Sequence, residues 1–572
     1  MKYELIAPRD KGLSIVEQVF KNRGITDINH YLNTTDKDLC NPLLLDNMRE
    51  GAKMLIAHIS QDHGIYLQVD SDCDGYTSSA LLLNYLNRLF PSFVQNRVTY
   101  AMHDGKQHGI DVTQIPAGTK LVIAPDSSSN EYELHQALSE KGIDILVLDH
   151  HEAPSVSQYA CVINNQLSEY PTKSLSGVGI VYKFCCYIDE LLGANHADDF
   201  VDLAALGIIA DVMSLKDYET KRVIDKGIAN IRNPFFKGMT IKNEYSIGSE
   251  VTPFGIAWYV APYVNAVTRS GTIEEKLLIF ESMLEFKAYE EIPSTKRGCK
   301  GQMETRVEQA VRTCLNIKNR QTKARDSYLE TVEKQIVDRG LLNHQVILVQ
   351  NDGPATTLSG LVANQLMGKY KKPILILTAT KHDGETSWEG SCRAPLLPSI
   401  GSCKDFYQAS GLVEYCEGHA SAFGIGIKDY NIQAFLSYCD ENLKDLDLSP
   451  IHKVDTIIPA SELDYTEFES LMSFGNIWGQ GVEEPLIAIE NLKVTKDNII
   501  LMKGTTLKII QDNLPMIKFK SNEQEYETLR SSQGVVTINA IVTCKKNEWM
   551  GRISPQLYIE DYEIVDRMEY YF

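Results

Sequence analysis

Asp70, Asp72 and Asp74 alternate within the stretch 64–80, GIYLQVDSDCDGYTSSA, and they follow a run that is apolar at every second position, Ile65–Val69. That alternation predicts a short buried strand. Gly75 is expected to allow a tight turn, after which Ser78–Phe90 resumes with helical apolar spacing at Leu81, Leu82, Tyr85 and Leu89. Three carboxylates crowded at the end of a strand repel one another unless a cation neutralises them. Two more apolar runs end in the same kind of residue: Lys120–Pro125 stops at Asp126, and Ile143–Leu148 stops at Asp149, His150 and His151. A helical segment, Val201–Ala210, ends at Asp211. Asp72, Asp74, Asp126, Asp149, His150, His151 and Asp211 together have the composition of a two-metal site. Carboxylate oxygens with an imidazole suit Mn²⁺ or Mg²⁺ rather than an ion that prefers thiolates. Two such ions about 4 Å apart can bind a phosphodiester oxygen, generate a hydroxide and stabilise the leaving oxygen.

The elements that must hold these residues alternate strand and helix, which predicts a parallel, doubly wound sheet with its site beyond the carboxyl ends of the strands. A length of 572 residues leaves room for three or four domains. Residues 271–340 are charged and periodic, with Val307–Leu315 and Tyr328–Val337 reading as two amphipathic helices. A second α/β unit begins at Gln345–Val349 and continues through a helix, Leu358–Tyr370, and a buried strand, Pro373–Thr378. From about residue 450, strand-like runs recur at short spacing: Val454–Ile458, Leu486–Ile489, Ile499–Met502, Leu507–Ile510, Met516–Phe519, Val535–Val542 and Gln556–Ile559. Turn residues, Lys545–Asn547 among them, separate these runs. This pattern predicts a small β-barrel.

Composition narrows the class. With 43% hydrophobic and 23% charged residues the chain is an ordinary globular one. No apolar run approaches the length needed to span a membrane, and the N-terminus lacks a signal-like core, so a cytoplasmic location is expected. Twelve cysteines without a C-x-x-C pair predict neither a disulfide framework nor structural zinc. A net charge of −20 argues against nonspecific coating of a duplex, although a local basic groove remains compatible with it.

DSDCDG, the strand-terminal Asp126, DHHE (149–152) and ADV (210–212) resemble the four motifs of the DHH phosphoesterase superfamily. VINNQLSEYPTKSLSGVGIVYKF (162–184), DLAALGIIADVMSL (202–215) and APYVNAVTR (261–269) are similar to segments of its RecJ branch, with Thr268 where glycine is usual. GSCRA (390–394) and EGHASAFG (417–424) resemble the glycine-rich elements of the DHH-associated domain. Here Glu417 replaces a second glycine and Ala394 a hydroxyl residue. SFGNIWGQGVEEP (473–485) and NEWMG (547–551) resemble the RecJ OB-fold, whose stacking surfaces would include Trp478 and Trp549.

The resemblance implies a DHH domain over 1–270, a helical connector over 271–340, a DHH-associated domain over 341–435 and an OB-fold over 450–572. It implies an exonuclease that degrades single-stranded DNA 5′→3′ to mononucleotides in repair, recombination or replication. Asp72, Asp74, Asp126, Asp149, His150 and Asp211 would hold two Mn²⁺ or Mg²⁺ ions. His151 would complete the cluster as a ligand or through the scissile phosphate, and Asp70 would orient the loop or support a ligand. Asn265, Arg269, Arg393, Gly418 and His419 would contact the strand. A monomer is expected, with a single-strand-binding protein or helicase as possible recruiting partner. Oligoribonucleases and cyclic-dinucleotide phosphodiesterases share the superfamily but lack the terminal barrel. A non-catalytic replication scaffold would have lost ligand carboxylates, and none is lost here.

Overall fold

The computed structural model describes every residue except 106, 249, 352, 354–356, 383, 396–399, 447–450, 531–533 and 570–572. The chain divides into two compact units. One comprises residues 5–318 and 454–572, the other residues 1–4 and 319–453.

The first sheet of the larger unit has five strands: β1 (Gly64–Val69), β2 (Val98–Met102), β3 (Thr119–Pro125), β4 (Asp144–Asp149) and β5 (Cys161–Asn164). They are all parallel, in the order β2-β1-β3-β4-β5. Strand alternation sorts their side chains between two faces. Ile65, Leu67, Val69, Leu121, Ile123, Leu146 and Leu148 join the main core with three helices, α1 (Cys73–Leu89), α2 (Gly177–Leu192) and α3 (Val201–Ala210). Tyr66, Val122, Ala124, Ile145 and Val147 pack on the opposite side with Leu138. The chain leaves β1 toward β2 on one side and returns to β3 on the other, so the order reverses between β1 and β3. At such a switch point the loops after the two strands diverge and leave a crevice.

The turn expected at Gly75 is absent. Helix α1 begins at Cys73, with Asp72 as its N-cap accepting from the Gly75 N–H at 2.9 Å. An N-cap carboxylate satisfies a free amide of the first turn and favours that start. Gly75 is needed for space instead, because a Cβ there would lie 2.6 Å from Asp70 Cβ.

The C-terminal segment of this unit forms a seven-stranded, largely antiparallel sheet: β11 (Thr456–Pro459), β12 (Ile487–Val494), β13 (Ile499–Met502), β14 (Thr506–Gln511), β15 (Leu514–Phe519), β16 (Gly534–Trp549) and β17 (Arg552–Glu569). Its order is β11-β12-β16-β17-β15-β14-β13. The turn expected at 545–547 is also absent: β16 runs on to Trp549 and the hairpin reverses at Met550–Gly551. Register shifts after Ile489, Thr537 and Ile541 bend these long strands.

The smaller unit holds a five-stranded mixed sheet of β6 (Ile347–Asn351), β7 (Ile374–His382), β8 (Glu385–Arg393), β9 (Tyr415–His419) and β10 (Ala422–Lys428), ordered β9-β10-β8-β7-β6. Only the β6–β7 pair is parallel. The two helices expected in 307–337 are one continuous helix, Arg306–Asp338. Its early apolar residues, such as Cys314 and Ile317, belong to the core of the larger unit. Val332 and Ile336 pack with β6 and β7 in the smaller one.

Candidate metal centre

All the strand-terminal carboxylates gather at the switch point. Asp70 follows β1, Asp126 follows β3, and Asp149 ends β4. The helices bring Asp72, Asp74 and Asp211 to the same place. Three overlapping sets have ligand atoms within 4.8 Å of one another: Asp126–Asp149–His150–His151, Asp74–His150–Asp211 and Asp70–Asp72–Asp126. Asp126 and His150 each belong to two sets, which links them into one cluster. His150 Nε2 lies 3.3 Å from Asp126 Oδ1 and 3.4 Å from Asp211 Oδ2.

The loops around the cluster are tightly drawn. Asp126 and Ser128 have φ of +64° and +80°, and Val212, directly after Asp211, has φ +60°. A β-branched residue seldom adopts that region, and such strain concentrates at functional sites. Neighbouring elements come close enough to require glycine. A Cβ on Gly177 would lie 2.4 Å from Asp126 Oδ1, and one on Gly207 would lie 2.4 Å from Asp74 Oδ1.

Partners that the sequence did not single out fix several of these side chains. Asp70 accepts from the ring of His108 at 2.7 Å and from the Gly109 N–H at 3.3 Å. Ser176 Oγ donates to Asp74 Oδ1 at 2.9 Å. Asp149 Oδ2 accepts from the Ser129 N–H, while its Oδ1 accepts from the His150 N–H at 2.7 Å and meets His151 Nδ1 at 2.8 Å. Asn164, at the end of β5, ties the Ser129 hydroxyl to the His151 carbonyl. Asn164 follows the same rule as the aspartates, a polar residue at the carboxyl end of a strand, and Ser129 lies in the loop after β3. Ser176 and His108 lie in loops, where pattern carries no such signal.

Electrostatics show what the cluster lacks. Burial, reinforced by Asp72, raises Asp74 to about 6. Burial together with Asp74 and Asp72 raises Asp211 to about 8 and pushes Asp126 well above the carboxylate range. Burial also lowers His150 to about 4, helped by its neighbour His151. The hydrogen bond to Asp149 raises His151 to about 9. Burial would push Asp149 up as well, but its bonds to His151 and Ser129 outweigh this and hold it low. Asp74 Oδ2, Asp126 Oδ1 and His150 Nε2 are buried without a hydrogen-bond partner. Three orphaned lone-pair donors converging in one buried acidic cluster fit a hard divalent cation.

Asn265 and Arg269 lie one turn apart on a single helix, Ala261–Ser270, where positions four apart share a face. Asn265 Oδ1 accepts from the Cys73 N–H at 3.1 Å, which ties this helix to the ligand loop. Arg269 is exposed.

Residues 64–208 match the model of the DHH family, N-terminal domain, and residues 454–561 match that of the RecJ OB domain. The SPbeta prophage-derived YorK of Bacillus subtilis, named as a single-strand DNA-specific exonuclease, is 36% identical over 99% of this chain and 98% of its own length. The chain belongs to the RecJ family of DHH phosphoesterases. Single-stranded-DNA-specific exonuclease RecJ of the same organism is 25% identical over 98% of this chain and 70% of its own. The crystal structure of RecJ with Mn²⁺ from Thermus thermophilus superposes with a TM-score of 0.73 at 18% identity, covering 98% of this chain and 77% of that one.

The RecJ-type glycine-rich elements lie together in the smaller unit. Arg393 on β8 and His419 on β9 both pair with Ala422 of the intervening β10. Residues level across adjacent strands share a face, so the two side chains flank Ala422 on one side of the sheet. Gly418, with φ +129°, precedes His419 at the hairpin end, and a Cβ there would lie 2.9 Å from the Ala422 carbonyl oxygen. The unusual Thr268 is buried and donates to the Asn265 carbonyl at 3.2 Å. Of the two tryptophans expected to stack on bases, Trp478 is only 4% exposed and packs on Phe20. It belongs to the core and offers no platform, whereas Trp549 is 71% exposed.

Proposed function

We propose that this chain is a metal-dependent exonuclease that hydrolyses the phosphodiester bonds of single-stranded DNA, 5′→3′, and releases mononucleotides. The observation that carries the reading is the buried trio of orphaned atoms, Asp74 Oδ2, Asp126 Oδ1 and His150 Nε2, at the sheet's switch point. Asp72, Asp74, Asp126, Asp149, His150 and Asp211 would hold two divalent ions, Mn²⁺ or Mg²⁺. When bound, such ions polarise a phosphoryl oxygen and supply hydroxide at neutral pH.

The chain's own residues do the rest. Asp149 orients His151 through the ring's Nδ1 and favours its protonated form, so His151 would present a proton donor at the rim of the cluster where a scissile phosphate would lie. Asp70, held by His108 and Gly109, fixes the loop that carries Asp72 and Asp74. Arg269, exposed on the helix that Asn265 ties to the ligand loop, would receive a phosphate, a task its planar, permanently charged guanidinium suits. Arg393 and His419 would contact the strand from the glycine-rich sheet. The match over 454–561 to the RecJ OB domain favours a long strand over a dinucleotide or short RNA.

The test is digestion of 5′- and 3′-end-labelled single-stranded DNA, duplex DNA and RNA with Mn²⁺, with Mg²⁺ and with EDTA. Metal-dependent loss of single-stranded DNA, releasing the 5′ label first as a mononucleotide, is expected. No degradation of single-stranded DNA with either metal would refute the reading.

A further inference from the structure

Residues 291–305 form a short hairpin, Glu291–Pro293 paired with Met303–Thr305, to which the motifs above assign no role. Its tip reads Thr295-Lys-Arg-Gly-Cys-Lys-Gly301, three cations within five residues of a chain whose net charge is −20. Lys296, Arg297 and Lys300 are exposed, and among the described residues no hydrogen bond or ion pair engages their side chains.

The base of the hairpin is nevertheless firmly held. Arg312, on the long helix behind it, grips both carboxylate oxygens of Glu304 at 2.5 and 2.7 Å and donates to Thr295 Oγ1 at 3.0 Å. Gln309 donates to the Pro293 carbonyl and to Glu304, each at 2.9 Å. Gly298 and Gly301, at φ +83° and +84°, supply the left-handed turns that close the loop. These cross-links hold the root and leave the cations in solvent, where burial cannot account for them.

We propose that this hairpin is a second strand contact, a clamp on the phosphate backbone of nucleic acid downstream of the metal centre. The inference rests on the nuclease reading above. Three closely spaced cations on a turn that includes Gly298 and Gly301 suit repeated phosphates, whereas a peptide ligand would need an apolar seat, and the tip has no large apolar side chain. Helix α1 sets the spacing. Asp72 caps one end, and Asn84, twelve residues on, bonds to the Met283 carbonyl and the Glu285 N–H just before the hairpin. At 1.5 Å per residue this puts Met283–Glu285 about 18 Å from the metal-bearing end, and Arg306, whose guanidinium bonds Glu281 and Glu290, ties the base of the hairpin to that same segment. A strand contacting both is several nucleotides long.

The experiment compares the wild type with K296Q/R297Q/K300Q and K296E/R297E/K300E. Binding of a fluorescent 40-nucleotide single strand is measured in EDTA across a salt series, and kcat and KM are measured in Mn²⁺. The neutral variant should bind about tenfold more weakly at low salt. Its log K against log salt slope should be shallower by about 2, from roughly 0.7 per lost phosphate contact. The charge-reversed variant should bind more weakly still, KM should rise, and kcat should stay the same. Wild-type affinity and slope in both variants would overturn the clamp while leaving the nuclease reading standing, as would unchanged strand binding with lost binding of poly-glutamate. A wild-type chain that neither binds nor cleaves the strand would sink both.

Discussion

At the scale of single residues, Asp149 has the most to do. One of its oxygens meets the His151 ring and the backbone N–H of His150, and the other meets Ser129. Asp149→Ala should therefore remove a ligand and release both histidines, lowering kcat by about 100-fold or more while leaving strand binding measurable. Full activity on end-labelled single-stranded DNA would refute its placement. The cluster also predicts an acid-favoured metal-free state. A carboxyl raised in the folded protein holds its proton there more readily than in the unfolded chain, so stability falls as pH climbs between the two values. Asp74 (about 6), Asp211 (about 8) and Asp126 act in this sense from their ordinary value of 3.8 upward. His151, raised from 6.5 to about 9, adds the same sign above neutrality. His150, lowered to about 4, opposes them only up to 6.5. The Tm of EDTA-stripped protein should fall from pH 5.5 to 8.5, and Mn²⁺ should restore more of it at the higher pH. A metal-free Tm that rose with pH would show that the carboxylates do not repel as described.

At the scale of elements, the sequence exposed those whose chemistry lies at their ends. β1 shows an apolar alternation, and β3 and β4 short apolar runs, that stop at a carboxylate, so both the strand and its task can be read locally. The turns expected at Gly75 and at 545–547 were wrong for one reason: glycine and short polar runs signal turns only when nothing else claims them. Gly75 makes room for Asp70 within a helix, and Lys545–Asn547 lie inside the long β16, paired residue by residue with β17. Whether a tryptophan is a platform is likewise decided at long range, since Phe20 covers Trp478 from more than 450 residues away in sequence. Trp549, next to the β16–β17 turn, remains exposed. Trp549→Ala should cost about 1–3 kcal/mol of single-strand affinity, one stacked base, with kcat and Tm unchanged. Titration with a fluorescent oligonucleotide checks this, and an unaltered Kd would remove the side chain from the strand's path.

At the scale of the larger unit, residues 454–572 are bound into the same body as the metal-bearing sheet, and a buried ion pair is one of the connections. Arg23, near the N-terminus, is 5% exposed, and Asp455, where the chain re-enters this unit, is 1% exposed. Their two bonds measure 2.6 and 3.0 Å. Arg23 also donates to the Glu483 carbonyl at 2.8 Å, and Asp455 accepts from Asn22 at 2.9 Å and from the Leu486 N–H at 3.2 Å. Phe20 packs beside this pair against Phe474 and Trp478, and Leu215 N–H, four residues after Asp211, donates to the Gln480 carbonyl at 2.8 Å. A fully paired buried bridge adds little net stability over an apolar substitute, but removing one partner strands the other charge. Asp455→Ala should therefore destabilise the larger unit by about 3–5 kcal/mol, while the double variant R23M/D455L recovers much of the loss. Because neither residue touches the metal cluster, kcat per folded molecule at low temperature should stay near the wild-type value. Chemical denaturation of the two variants beside the wild type distinguishes the outcomes: equal midpoints in all three would mean that the bridge does not hold the C-terminal sheet to the catalytic one.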